Sequence, residues 1–214
     1  MKKGKFITID GVEGAGKSTQ IDFVCDYLHR KGIDVVKTRE PGGTDLGEKI
    51  RSLLLGLDNE GMHSDTELLL MFSSRNELIQ NKIKPALDAG KWVVSDRFTD
   101  ASFAYQGGGR ELNLDRISEL ESWVQGKFQA DLTLLLDVGV DIGMTRIESR
   151  KSKDRIEKEE RDFFERVRSV FIERSKLYPQ RIKLIDASQS IEQVQQQIQS
   201  VSYKNLTLPT TTYV

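Results

Sequence analysis

The stretch Gly11-Val12-Glu13-Gly14-Ala15-Gly16-Lys17-Ser18 has the spacing G-x-x-x-x-G-K-[ST], directly after the apolar run Phe6 to Ile9 and before a helical pattern. Strand, loop and helix in that order are the context in which such a loop cradles phosphate. Glycines let backbone N–H groups curl around phosphate oxygens, Lys17 reaches the β- and γ-phosphates, Ser18 can ligate Mg²⁺, and the following helix turns its positive end to the anion. Residues Gly11 to Thr19 are therefore the expected ATP-binding set, with Lys17 as its catalytic member. Glu13 is the misfit, because phosphates repel a carboxylate.

A second grip lies elsewhere in the chain. Asp96 and Arg97 follow the apolar run Trp92-Val93-Val94, so both should project from the carboxyl end of a strand. The acid can hold Mg²⁺ with Ser18, and the arginine can take a phosphate bidentately. Two phosphate grips suggest an acceptor that itself carries a phosphate. Such a monoester, with a second pKa of about 6, is already a dianion near neutral pH and needs no general base. Catalysis then reduces to positioning and charge neutralisation. The arginines suit this: Arg39, Arg51, Arg75, Arg97, Arg150 and Arg155 lie in or beside the motif loops. His29 and His63 form no pair with metal or catalytic spacing, and no Cys/His metal set or Ser/His/Asp order is visible.

Positioning these groups requires a sheet. Short apolar runs at 5–10, 34–38, 91–95, 132–137 and 181–186 alternate with helical patterns at 17–31, 45–56, 65–88, 98–106, 113–126, 140–150, 157–178 and 190–202. This reads as an α/β fold with a doubly wound parallel sheet of about five strands flanked by helices. Ligands then bind at the carboxyl ends of the strands, where GVEGAGKS, TREPGGT (38–44) and SDRF (95–98) all fall. One domain over 1–202 is expected, with a small helical lid at about 141–160 and a loose tail over 203–214. The charged run Arg146 to Arg168 reads either as a solvated helix pair or as a mobile basic flap over phosphates.

At 214 residues and net charge −1, the chain has no general attraction for nucleic acid or membrane, so local arginine clusters must hold any anionic ligand. The single cysteine, Cys25, shares a helical face with Ile21, Val24 and Leu28 and reads as a core residue. No eighteen-residue apolar run or signal-peptide core is present, and a cytoplasmic protein is expected.

Several segments together resemble thymidylate kinase of the bacterial kind: FITIDGVEGAGKST, TREPGGT, EKIRSLLL, IKPAL, SDRFTDASFAYQGGGR, ADLTLLLDV and DRIEKEERDFFERVR. The resemblance implies a P-loop NTPase fold, ATP as phosphoryl donor with Mg²⁺, dTMP as acceptor and a homodimer. It also implies a role for Glu13, which would accept a hydrogen bond from the 3′-hydroxyl of the acceptor deoxyribose. Arg97 would be the main dTMP phosphate ligand, with Arg39 and Arg51 nearby, and Pro41 would be a cis-proline shaping the loop beside that phosphate. Arg75, aided by Ser102 and Gln106, would read the thymine edge. Tyr105 would leave little room for a 2′-hydroxyl. Arg150 and Arg155 would be lid arginines brought to the transferring phosphoryl group, which favours the flap reading of the charged run.

The sequence departs from the family at the base. The family stacks thymine on a phenylalanine four residues before the base-reading arginine; here that position is Met71, and Phe72 is its neighbour. Either Met71 covers the base through its thioether, or a helix shift brings Phe72 to it. Ala101 stands where relatives often carry serine. Two rivals remain: a deoxynucleoside monophosphate kinase of relaxed specificity, and a non-catalytic P-loop nucleotide sensor.

Overall fold

The structure, a computed structural model, describes residues 3–148 and 154–206. Its centre is a five-stranded parallel sheet in the order β2-β3-β1-β4-β5, formed by β1 (Phe6–Asp10), β2 (Val35–Arg39), β3 (Trp92–Asp96), β4 (Leu132–Asp137) and β5 (Ile182–Asp186). The middle strands FITID, WVVSD and LTLLLD are near-continuous apolar runs buried on both faces, as a helix-covered parallel sheet requires. The helices are α1 (Lys17–Arg30), α2 (Asp45–Leu55), α3 (Ser64–Leu78), α4 (Lys84–Asp88), α5 (Thr99–Ser102), α6 (Leu114–Gln125), α7 (Val140–Glu148), α8 (Arg161–Leu177) and α9 (Ile191–Leu206).

One core layer packs α1, α8 and α9 against the sheet through Ile21, Val24, Leu28, Phe164, Phe171, Val194 and Ile198, and Cys25 belongs to it. Another joins Phe6 and Val93 of the sheet to Leu78, Ile79, Ile83 and Leu87. Register fixes the working end of the sheet. Ile9 and Arg39 both pair with Asp96, so β1, β2 and β3 finish level and deliver their following loops to one place.

Four elements differ from the sequence reading. The helix expected over 65–88 is interrupted by a π-helical stretch at Ile79–Ile83. The helix expected at 98–106 is a single turn, α5, that runs into a π-helix at Phe103–Gly109. There the Arg110 N–H reaches back to the Tyr105 carbonyl, and the wider turn re-aims the side chains it carries. The helix expected from 157 begins at Arg161, because Asp154 makes a separate turn. The Asp154 carboxylate accepts from the Ile156 and Glu157 N–H groups at 2.9 Å each, and Glu157 Oε2 accepts from the Asp154 N–H at 3.2 Å, a reciprocal capping box. At the other end α9 continues to Leu206, four residues past its expected limit.

Candidate active site

β1 ends at Asp10, and the chain turns through Gly11 to Gly16 into α1. Gly16 is the α1 N-cap with φ of 85°, a left-handed conformation natural to glycine. Gly14 has φ of 72°, and a Cβ there would lie 2.2 Å from the Gly143 carbonyl oxygen of α7, so no larger residue fits. The first turn of α1 carries no acidic residue, which leaves its positive end unopposed for an anion. Lys17 is buried against the loop and donates to the Gly11 and Val12 carbonyls at 3.3 and 3.1 Å.

Arg97 follows β3 with φ of 69°, unusual for a side-chain-bearing residue, and its N–H is held by the Ile9 carbonyl at 3.0 Å. Its guanidinium donates to the Gly11 carbonyl (2.8 Å), Glu13 Oε1 (2.5 Å) and the Tyr105 hydroxyl (2.8 Å), and the Tyr105 hydroxyl also donates to Glu13 (3.2 Å). Lys17 Nζ stands 3.7 Å from the other Glu13 oxygen. Glu13 is thus the anion shared by the two cations, Arg97 and Lys17.

These contacts set the ionisation of the cluster. Burial works against the charge on Glu13, but Arg97 and Lys17 overcome it and hold the carboxyl down at about 2. For Arg97, burial opposes the charge, and Glu13 with its acidic neighbours more than restores it, so the pKa moves up. Burial, with Arg97 nearby, lowers Lys17. Asp10 behaves differently: burial and repulsion from Asp100 raise it to about 8, and neither of its oxygens has a protein partner.

On the β2 side the Glu40–Pro41 bond is cis, as the resemblance implies. Arg51 donates to the Pro41 carbonyl at 2.9 Å, and Arg39 pairs with Glu48 at 2.8 Å. Arg75 is completely buried. It donates to Glu40 Oε2 twice (2.9 and 2.7 Å) and to the Ser102 hydroxyl (2.9 Å), over the ring of Phe72 at 4.5 Å. Its Nη1 and the Gln106 Oε1 are both buried without a partner in the protein.

All of this opens onto one cavity of about 350 Å³. Of the residues singled out in the sequence, Glu13, Gly14, Gly16, Lys17, Ser18 and Thr19 of the P-loop line it together with Arg39, Pro41, Arg51, Met71, Asp96, Arg97, Tyr105, Gln106 and Arg155. Arg75, Ser102, Gly11, Val12 and Ala15 stand behind that wall. Phe72 faces away, into a cluster with Leu68, Phe103 and Ile117, so Met71 holds the wall position and Phe72 supports Arg75 from beneath. Arg150 lies outside the described residues.

Arg155 does not extend toward the P-loop. It is 5% exposed, with its N–H on the Leu55 carbonyl (3.2 Å), its Nε on the Leu54 carbonyl (2.8 Å) and its Nη2 on Glu67 (2.5 Å). Glu67, Glu40, Asp10 and Asp154 escaped the sequence reading. Glu67, Met71 and Arg75 recur at intervals of four and share one face of α3, a signal the sequence carried. Glu40 lies inside the motif TREPGGT. For Asp10 and Asp154 only the environment in the fold makes them notable.

A family model described as thymidylate kinase matches residues 9–198. A thymidylate kinase of Ruthia magnifica is 65% identical over 94% of this chain and 98% of its own, and one of Nitrosospira multiformis is 52% identical over 92% and 96%. In three dimensions, the crystal structure of thymidylate kinase from Ehrlichia chaffeensis superposes with a TM-score of 0.76 at 34% identity, covering 93% of this chain and 98% of that one. Sequence match and superposition both run nearly end to end through the P-loop and the Arg97 cluster: the chain belongs to the thymidylate kinase family.

Proposed function

We infer that this cavity carries out the family's reaction, transfer of the ATP γ-phosphoryl group to dTMP to give dTDP, with the residues divided between donor and acceptor. The chain is an ATP-dependent phosphotransferase. The observation that carries the residue assignment is the opening of P-loop, Arg97 and base-side wall onto one cavity.

Gly11 to Thr19 hold the ATP phosphates through loop N–H groups and the α1 N-terminus, and Lys17 leaves its carbonyl partners for the β- and γ-oxygens. The acceptor phosphate takes Arg97, with Arg39 and Arg51 beside it. Being a dianion it needs no base, and the protein's task is to hold two anions in line and offset their repulsion. Glu13 accepts from the 3′-hydroxyl, and Tyr105 limits space at C2′. For the base, Gln106 Oε1 on the cavity wall is an acceptor for thymine's N3–H, and Arg75 Nη1, behind that wall, is the donor assigned to O4; both are buried without a protein partner. Arg155, and Arg150 with it, supply lid charge to the transferring phosphoryl group.

Ser18 and Asp96 fit Mg²⁺: both are hard oxygen donors on the cavity wall, and Asp96 Oδ1 is buried without a protein partner. Bound there, the ion would neutralise phosphate charge.

We assign one catalytic domain, expected over 1–202 and carried by α9 to Leu206, with a lid at about 141–160 and a homodimer in the cytoplasm; residues 207–214 of the expected tail lie outside the described residues. The face of α3 and α6 supports the dimer: Leu69 is 53% and Trp123 82% exposed, together on an apolar groove flanked by Asp65, Arg116 and Glu119. No helix among the described residues is long and apolar enough to cross a membrane.

A coupled ADP-release assay with ATP, Mg²⁺ and each nucleoside monophosphate tests the reading. Strong preference for dTMP is the expected result. Comparable turnover of dTMP, dUMP and dGMP would favour the relaxed reading that Met71 motivates, and ATP binding without turnover the sensor.

A further inference from the structure

We propose that Glu67 is a positioning residue that couples recognition of the acceptor base to placement of Arg155. The carboxylate is 1% exposed, on the cavity wall midway along the contacts between two parts of the site. One oxygen accepts from Gln106 Nε2 at 2.8 Å, which leaves the Gln106 carbonyl oxygen as the part of that side chain available to the base. The other accepts from Arg155 Nη2 at 2.5 Å. Arg110 closes the arrangement: its Nε lies 3.2 Å from Glu67, and its Nη1 donates to Glu159 at 2.5 Å. The turn that carries Arg155 is therefore tied to the base-side wall twice, directly through Arg155 and again through Arg110 and Glu159.

The energetics favour coupling over simple support. Glu67 is a single buried negative charge serving two guanidinium groups and one amide. In a site of low polarizability each of those bonds strengthens or weakens with the others. A base that engages Gln106 Oε1 polarises the amide against Glu67, and the strength of that contact sets how firmly Glu67 holds Arg155 in place on the cavity wall. Both Glu67 oxygens are engaged by protein donors. Its effect runs through Gln106 on one side and Arg155 on the other. The inference rests on the assignment of Arg155 as a lid arginine.

The experiment is a double-mutant cycle with Glu67→Gln, Arg155→Ala and both together, measuring kcat and KM for dTMP and for ATP alongside thermal unfolding. Glu67→Gln keeps the side chain's size and removes its charge. The expected result is a kcat lower by about tenfold or more and a KM for dTMP raised several-fold, from loss of charged hydrogen bonds, with KM for ATP little changed. The double variant should have a kcat no lower than Arg155→Ala alone, since both changes disable one unit. Losses of kcat that multiply, or an unchanged KM for dTMP in Glu67→Gln, overturn the inference and leave Arg155's role intact. If Arg155→Ala alone leaves kcat unchanged, the Arg155 assignment falls and takes the inference with it. Should Glu67→Gln fail to fold, Glu67→Asp retains the charge on a shorter arm and enters the same cycle under the same criteria.

Discussion

Glu13→Gln probes the one acidic residue inside the phosphate loop, and its consequences can be worked from the contacts. The glutamine can still accept one hydrogen bond from Arg97 or Tyr105, so shape is preserved and charge is lost. Removing one partner of a buried ion pair costs about 3–5 kcal/mol in general. Here Arg97 keeps the Gly11 carbonyl and the Tyr105 hydroxyl and remains near Asp96, so the cost falls below that range, to about 2 kcal/mol. For a chain of this size that is a fall in Tm of roughly 4–8 °C in the unliganded protein. Saturating dTMP brings a phosphate dianion to Arg97 and restores the missing charge, so the fall should shrink. Turnover gives the second readout: if Glu13 accepts from the 3′-hydroxyl, kcat/KM should drop far more for dTMP than for its 3′-deoxy analogue. Thermal unfolding with and without dTMP, and ADP release with both acceptors, measure the two effects. An equal Tm loss in both states refutes the charge argument, and an equal activity loss with both acceptors refutes the hydroxyl contact.

Arg155→Ala should lower kcat by about 10²-fold or more, the scale of an arginine supplied to a transferring phosphoryl group, and single-turnover kinetics would show whether the phosphoryl-transfer step itself slows. Met71→Phe places a ring where the thioether lines the cavity, and stacking worth about 1 kcal/mol should reduce KM for dTMP roughly fivefold; a rise instead would mean the wall cannot admit the ring. Asp10, raised to about 8 in the fold, holds its proton over a range where the unfolded chain has lost it. The stability its neutral form provides is complete below pH of about 4 and declines as pH rises to about 8. Asp10→Asn stays neutral throughout, so its Tm should match the parent near pH 4 and exceed it by several degrees at pH 8 in the absence of nucleotide and metal; parallel Tm curves would show that Asp10 is ionised in the fold.

The sequence by itself determined the sheet and its working end. Apolar strand runs and helical periods are local signals, and so is the glycine spacing of the P-loop; each follows from steric and hydrophobic requirements within a few residues. Hence β1 to β5, the phosphate loop and the Asp96-Arg97 pair stand where the pattern put them. The π-helix at Phe103–Gly109, which aims Tyr105 and Gln106, was not legible, because a helical period does not reveal one extra residue in a turn. Nor was the choice between Met71 and Phe72: both are apolar neighbours on α3, and packing of Phe72 with Leu68, Phe103 and Ile117 decides that Met71 faces inward. The tertiary structure alone joined Arg155 to Glu67 across 88 residues and, by burying Asp10 near Asp100, raised its pKa. Charge, burial and partner choice at those positions depend on groups distant in the chain, and no local pattern encodes them.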